Sequence, residues 1–144
     1  MVHEKMKLKI LEKISKDLFL HIDQVFERLI DQSKTTYDLN KIIEYYAQHQ
    51  CKSIQLISCN KRTSEVVNMK RDVVFIYYNL CCPFYRELGV ASFLPKRNRL
   101  ALSEALNLSQ NTIIKYINSA KHHFRFYPEY RELIKSNLEA HLVR

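Results

Sequence analysis

A single glycine, Gly89, occurs in the whole chain. That scarcity removes the glycine-rich phosphate loop, the dinucleotide-binding turn and the G-x-S-x-G nucleophile elbow, each of which needs two or more glycines at fixed spacing. With only three prolines beside it, little turn chemistry is left for a many-stranded sheet, so helices are the default. No apolar run reaches the roughly 18 residues of a membrane span. The four cysteines, Cys51, Cys59, Cys81 and Cys82, form no C-x-x-C pair. With no signal peptide ahead of them, they are expected to be reduced, mostly buried residues of a cytoplasmic protein. His122, His123 and His141, with Cys81 and Cys82, offer no i, i+3 or i, i+4 ligand pair, so neither a metal nor another cofactor is expected. Nothing draws a serine, histidine and aspartate together, and no enzyme is expected.

What the chain does have is positive charge, +8 in total over 144 residues, and its placement is uneven. Residues 61–126 hold eleven Lys/Arg against four Asp/Glu, whereas the segments before and after are close to balanced. A cationic segment of this kind has polyanions as its natural partner. At this length folding buries about 68–70% of the surface of the unfolded chain, enough for one ordinary core.

Along the chain, Leu11, Ile14, Leu18, Ile22, Val25 and Leu29 recur at steps of three and four, with Phe19 and Phe26 beside them. This is one stripe of a long amphipathic helix over His3–Ile30, expected to pack on the body or on a second copy of itself. Its heptad is too short and irregular for a coiled coil. The polar run "DQSKTTYD" stops it, and Asp38 is placed to cap a second helix, "LNKIIEYYAQHQ", with Leu39, Ile42, Ile43 and Tyr46 on one face. Residues 51–70 read as a short helical turn followed by a basic, polar connection. "RDVVFIYYNLCC" is apolar on nearly every side, and its length before Pro83 favours a central buried helix over a strand. "PFYRELGVASFLPKRN" reads as a loop with at most one helical turn, and "FYPEYRELIKSNLEAHLV" as a closing helix with Pro128 in its first turn and Tyr130, Leu133, Ile134 and Leu138 on its apolar face. Most of the nine tyrosines fall on such faces and are expected in the core.

The stretch "LALSEALNLSQNTIIKYI", Leu100–Ile117, holds Leu102, Leu106, Leu108, Ile113 and Tyr116 at the apolar steps of two helices packed at a steep angle. Ser103 is the small residue at their contact, Asn107 the corner that accepts a left-handed backbone, and Ser109 the cap of the second helix. That second helix would run from Gln110 to about Ala120, or on to about Lys121 or Phe124, burying Ile113, Ile114 or Ile117. Gln110, Asn111, Thr112 and Lys115 would then face outward at the end that meets base edges in a major groove, with Ser109 suited to a phosphate. The rival reading is a polar, capped surface helix.

Taken with "LNKIIEYY", "QLISCNKRTSEVVNMKRDVVFIYY" and "YPEYRELIKSNLE", this stretch resembles the C-terminal DNA-binding domain of the bacterial chromosomal replication initiator DnaA, over roughly residues 38–140. The resemblance implies a helical domain that holds duplex DNA from two sides. Arg71, at the start of the central helix, and Lys61 and Arg62, in the connection, would lie against the backbone or minor groove, while the helix-turn-helix reads the major groove. The family's signature Arg-Asp-His-Thr-Thr-Val appears here as "LSQNTI", with Thr112 kept in type, so the target site differs from the initiator's. The connection from Cys82 to Arg99 is longer than the family's, and no ATPase segment precedes the similar region, so the expectation is a regulator rather than a complete initiator.

The sequence thus predicts an all-α protein: residues 1–37 as an N-terminal helix for packing or dimerisation, and residues 38–144 as a compact helix-turn-helix domain. Its expected function is double-stranded DNA binding as a transcription or replication regulator, of the kind mobile elements and phages carry. The candidate DNA-binding residues are Lys61, Arg62, Lys70, Arg71, Arg97, Ser109, Gln110, Asn111, Thr112 and Lys115. No membrane partner is expected, and a homodimer through the N-terminal helix is. The alternative is a helical interaction module whose basic face meets an acidic protein.

Overall fold

The computed structural model describes residues 2–142 and contains only helices and their connections there. It divides into two compact units, Met1–Thr35 and Thr36–Arg144, slightly ahead of the boundary expected from the sequence.

The first unit is one helix, α1 (Val2–Ser33). Every side chain from Val2 to Gln24 is exposed, Leu11, Ile14, Leu18 and Ile22 of the apolar stripe included, whereas Val25 is half-buried and Leu29 buried.

The second unit comprises α2 (Leu39–His49), α3 (Ile54–Ser58), α4 (Ser64–Cys81), α5 (Pro83–Leu88), α6 (Lys96–Leu106), α7 (Gln110–Phe126) and α8 (Pro128–His141). Asp38 caps α2 by accepting hydrogen bonds from the backbone N–H groups of Asn40 and Lys41. One face of α2, Ile42, Ile43, Tyr46 and Ala47, is buried. The organising element is α4, which packs against α2, α3, α5, α7 and α8 and buries twelve of its side chains, from Val66 to Leu80. That explains its apolar character on all sides: a helix surrounded by helices has no solvent face to mark with polar residues. Phe75 and Tyr78 stack at its centre, with Tyr85, Phe124 and Tyr130 around Phe75.

Three sequence expectations are corrected here. The central helix begins at Ser64, capped by the Thr63 hydroxyl, which accepts from the Val66 N–H. The stretch read as a polar connection up to residue 70 therefore includes two turns of α4, and Arg71 lies in its interior rather than at its start. The loop after Pro83 contains a six-residue helix ended by Gly89 at φ 68°, a left-handed position that glycine fills without steric cost. Of the four cysteines, expected to be mostly buried, Cys82 is buried, Cys59 and Cys81 are half-buried and Cys51 is exposed. In agreement with the sequence, α7 runs on past Phe124 to Phe126, and of the three isoleucines it buries Ile113 and Ile117 while Ile114 faces solvent.

Candidate nucleic-acid interface

The pair α6–α7 is built on its corner. Asn107 ends α6 in the left-handed region, φ 54° and ψ 55°, and its N–H donates to the Ser103 carbonyl. The N–H of Leu108 donates to the same carbonyl at 3.1 Å, and the Ser103 hydroxyl donates to the Leu108 carbonyl. A small residue is needed at 103 because the chain folds back directly onto it. Below the corner, Leu102, Leu106 and Ile113 are fully enclosed, so the angle between the helices is fixed by apolar contact as well as by the turn.

Ser109 then starts α7. Its Oγ accepts from the Thr112 N–H at 3.2 Å and lies 2.8 Å from the Thr112 Oγ1. This satisfies one of the orphan donors of the first turn and leaves the end of the helix dipole facing outward beside Gln110 and Asn111, where it favours an anion. No acidic residue occupies that first turn. The side chains of Gln110 and Asn111 form no hydrogen bond within the described residues, and Asn111 and Lys115 are exposed.

An open cleft of about 440 Å³ runs between the α3–α4 connection and this helix end, with Lys61, Arg62 and Lys70 on one wall and Asn107, Ser109, Thr112 and Tyr116 on the other. The Asn107 side chain donates to the Asn60 Oδ1 across the cleft, tying the corner to the basic connection. Asn60 and Tyr116 line the cleft beyond the residues the sequence predicts for the site. For Asn60 the one available signal was its position just before Lys61–Arg62.

The structure separates the expected site residues into groups. Lys61 and Arg62 are exposed at the cleft, and Gln110, Asn111 and Lys115 share the first turns of α7 beside it. Arg97 is exposed in the first turn of α6 and does not line the cleft. Lys70 is buried, its Nζ donating to the Cys59 carbonyl at 2.7 Å, and desolvation pulls its pKa below the ordinary lysine value. Its charge secures the connection.

Arg71 is likewise committed inward. Its guanidinium lies 3.6 Å from the Asp72 carboxylate, 3.4 Å from His123 Nε2, and over the Tyr130 ring at 5.4 Å. Asp72 also accepts the Tyr46 hydroxyl at 2.6 Å. Burial raises the Asp72 pKa, while the Tyr46 hydrogen bond and the Arg71 charge oppose the rise. Two further cations of the basic segment have structural partners. Arg86 donates to the carbonyls of Asn79 and Leu80 near the end of α4, and the Lys121 ammonium sits over the rings of Tyr85 and Tyr78. Part of the excess charge therefore closes helix ends and caps aromatic rings, and the exposed remainder includes Lys61, Arg62, Lys96, Arg97, Lys115 and Arg125.

Among the described residues no group of histidines, cysteines and carboxylates is placed to hold a metal ion, and no helix is long and apolar enough to cross a membrane. No family model, curated protein or solved structure matches the chain.

Proposed function

We propose that the second unit binds duplex DNA as a regulator of transcription or replication, with α6–α7 acting as a helix-turn-helix. The first turns of α7 enter the major groove, where Gln110 and Asn111 are suited to hydrogen-bond a base edge such as adenine N6/N7. Lys61 and Arg62 neutralise phosphates of the flanking backbone. One observation carries the reading: the cleft places these two free cations beside a capped, acid-free helix N-terminus whose outermost side chains have no internal partner. The resemblance to the replication initiator's DNA-binding domain supports this reading, except that Arg71, which it implies lies against DNA, is held in an internal ion pair with Asp72.

The test is selection of bound duplexes from a random pool, followed by titration of variants. Gln110→Ala with Asn111→Ala flattens base preference, each lost bidentate contact costing about 1–3 kcal/mol of discrimination. Lys61→Ala with Arg62→Ala weakens all sequences alike and lowers the salt slope by about 2. If the chain fails to retain random duplex at low salt, the reading falls, and the basic face is left for an acidic protein.

A further inference from the structure

In α1 the first four residues of the apolar stripe are open to solvent, Leu11, Ile14, Leu18 and Ile22 each exposing between 53% and 60% of their surface, whereas Val25 is half-buried and Leu29 buried. A continuous apolar line of this kind marks a surface that another apolar surface covers. The order of the sequence along the helix indicates which one.

The spacing of the stripe reads the same in both directions. From Leu11 to Val25 the steps are three, four, four and three, with Leu18 at the centre. A two-fold axis across a helix requires this symmetry, because each residue must meet its mirror position on a copy running the other way. The stripe also recurs after eleven residues, Leu11, Ile14 and Leu18 being followed by Ile22, Val25 and Leu29. That period keeps a seam nearly straight along a helix, which is why heptad spacing fits it poorly.

Charge fixes the direction. From Val2 to Lys16 there are five lysines against two glutamates, and from Asp17 to Ser33 four acidic residues against one arginine. The halves thus carry +3 and −3. This distribution opposes the helix's own dipole, which prefers acids at the N-terminus and bases at the C-terminus, and the last turn has no basic residue. A parallel copy would set like halves side by side. An antiparallel copy sets each lysine-rich half against an acidic one and opposes the two dipoles.

We propose that α1 pairs with α1 of a second copy of this chain, antiparallel, with Leu18 at the two-fold axis, Ile14 against Ile22 and Leu11 against Val25. An anionic lipid surface suits the helix less well, since its acidic half would be repelled. The inference does not depend on DNA binding.

Sedimentation equilibrium of the full chain without DNA gives twice the 17.2 kDa single-chain mass. Leu18→Asp halves that mass and leaves the circular dichroism spectrum per chain intact, because Leu18 already faces water in the single chain. For direction, in a Cys51→Ser background, a short bismaleimide joins Leu18→Cys to itself and joins Leu11→Cys to Val25→Cys in mixtures, while Leu11→Cys alone stays uncrosslinked. A single-chain mass at every concentration overturns the proposal, as does a dimer that survives Leu18→Asp. Crosslinking of Leu11→Cys to itself overturns the antiparallel direction. Cosedimentation of a single-chain protein with phosphatidylserine vesicles assigns the stripe to a membrane instead.

Discussion

At the scale of single residues, the division between cations that hold the fold and cations that face solvent is set by partners distant in sequence. Arg71 faces His123, 52 positions away, and Lys70 reaches back 11 to Cys59. Charge counting along the chain cannot register either contact. Removing Arg71 leaves the enclosed Asp72 carboxylate without its cation, so Arg71→Ala is expected to destabilise the fold by about 3 kcal/mol near neutral pH. The sign of its pH dependence follows from burial, which already raises the Asp72 pKa, and from the Arg71 charge, which opposes the rise. Without Arg71 the folded-state pKa climbs further, the folded variant holds its proton more tightly than the unfolded chain does, and acidification relieves the unpaired charge. The stability gap between variant and wild type therefore narrows as pH falls from neutral towards the ordinary carboxylate pKa of about 3.9. Urea titrations of both proteins across that range measure it, and a gap that widens on acidification rules this account out.

At the scale of elements, the corner between α6 and α7 separates backbone demand from side-chain function. Asn107 adopts φ 54°, so Asn107→Gly should hold stability within about 0.5 kcal/mol, whereas Asn107→Leu costs about 1–2 kcal/mol. Thermal melts measure both. Because the glycine variant also loses the tether to Asn60, weakened duplex binding by a stable Asn107→Gly would show that the link between corner and connection positions the cations. This corner was legible in the sequence because its signals are local: an asparagine, a small residue four before it and a capping serine two after it. The cap at Asp38 and the stripe of α1 were legible for the same reason. The start of α4 was not, because its first turns, "SEVVNMK", mix charged and apolar residues and look like connection until α2, α3, α7 and α8 are placed around them. The cleft was only half legible: each wall is a local pattern, but its width depends on how α3 and α6 pack.

For the whole molecule, a symmetric pair of chains would carry two copies of the unit proposed to bind DNA, related by one axis, so on that proposal a palindromic operator is the expected target. A duplex bearing two inverted copies of the selected site should bind the wild type roughly 10²-fold or more tighter than a duplex bearing one copy, provided both units can engage at once. Leu18→Asp should bind both duplexes nearly alike. Gel-shift titration at fixed salt measures the ratio, and an equal ratio for both proteins would separate self-association from target choice. The unpartnered side chains of Gln110 and Asn111 carry a consequence of their own. Since neither supports the core nor caps a helix, replacing them costs the fold little, and the body built on α4 can stay fixed while these two letters drift. On the proposed function, one inherited scaffold could in this way acquire new addresses on a genome without first having to relearn how to fold.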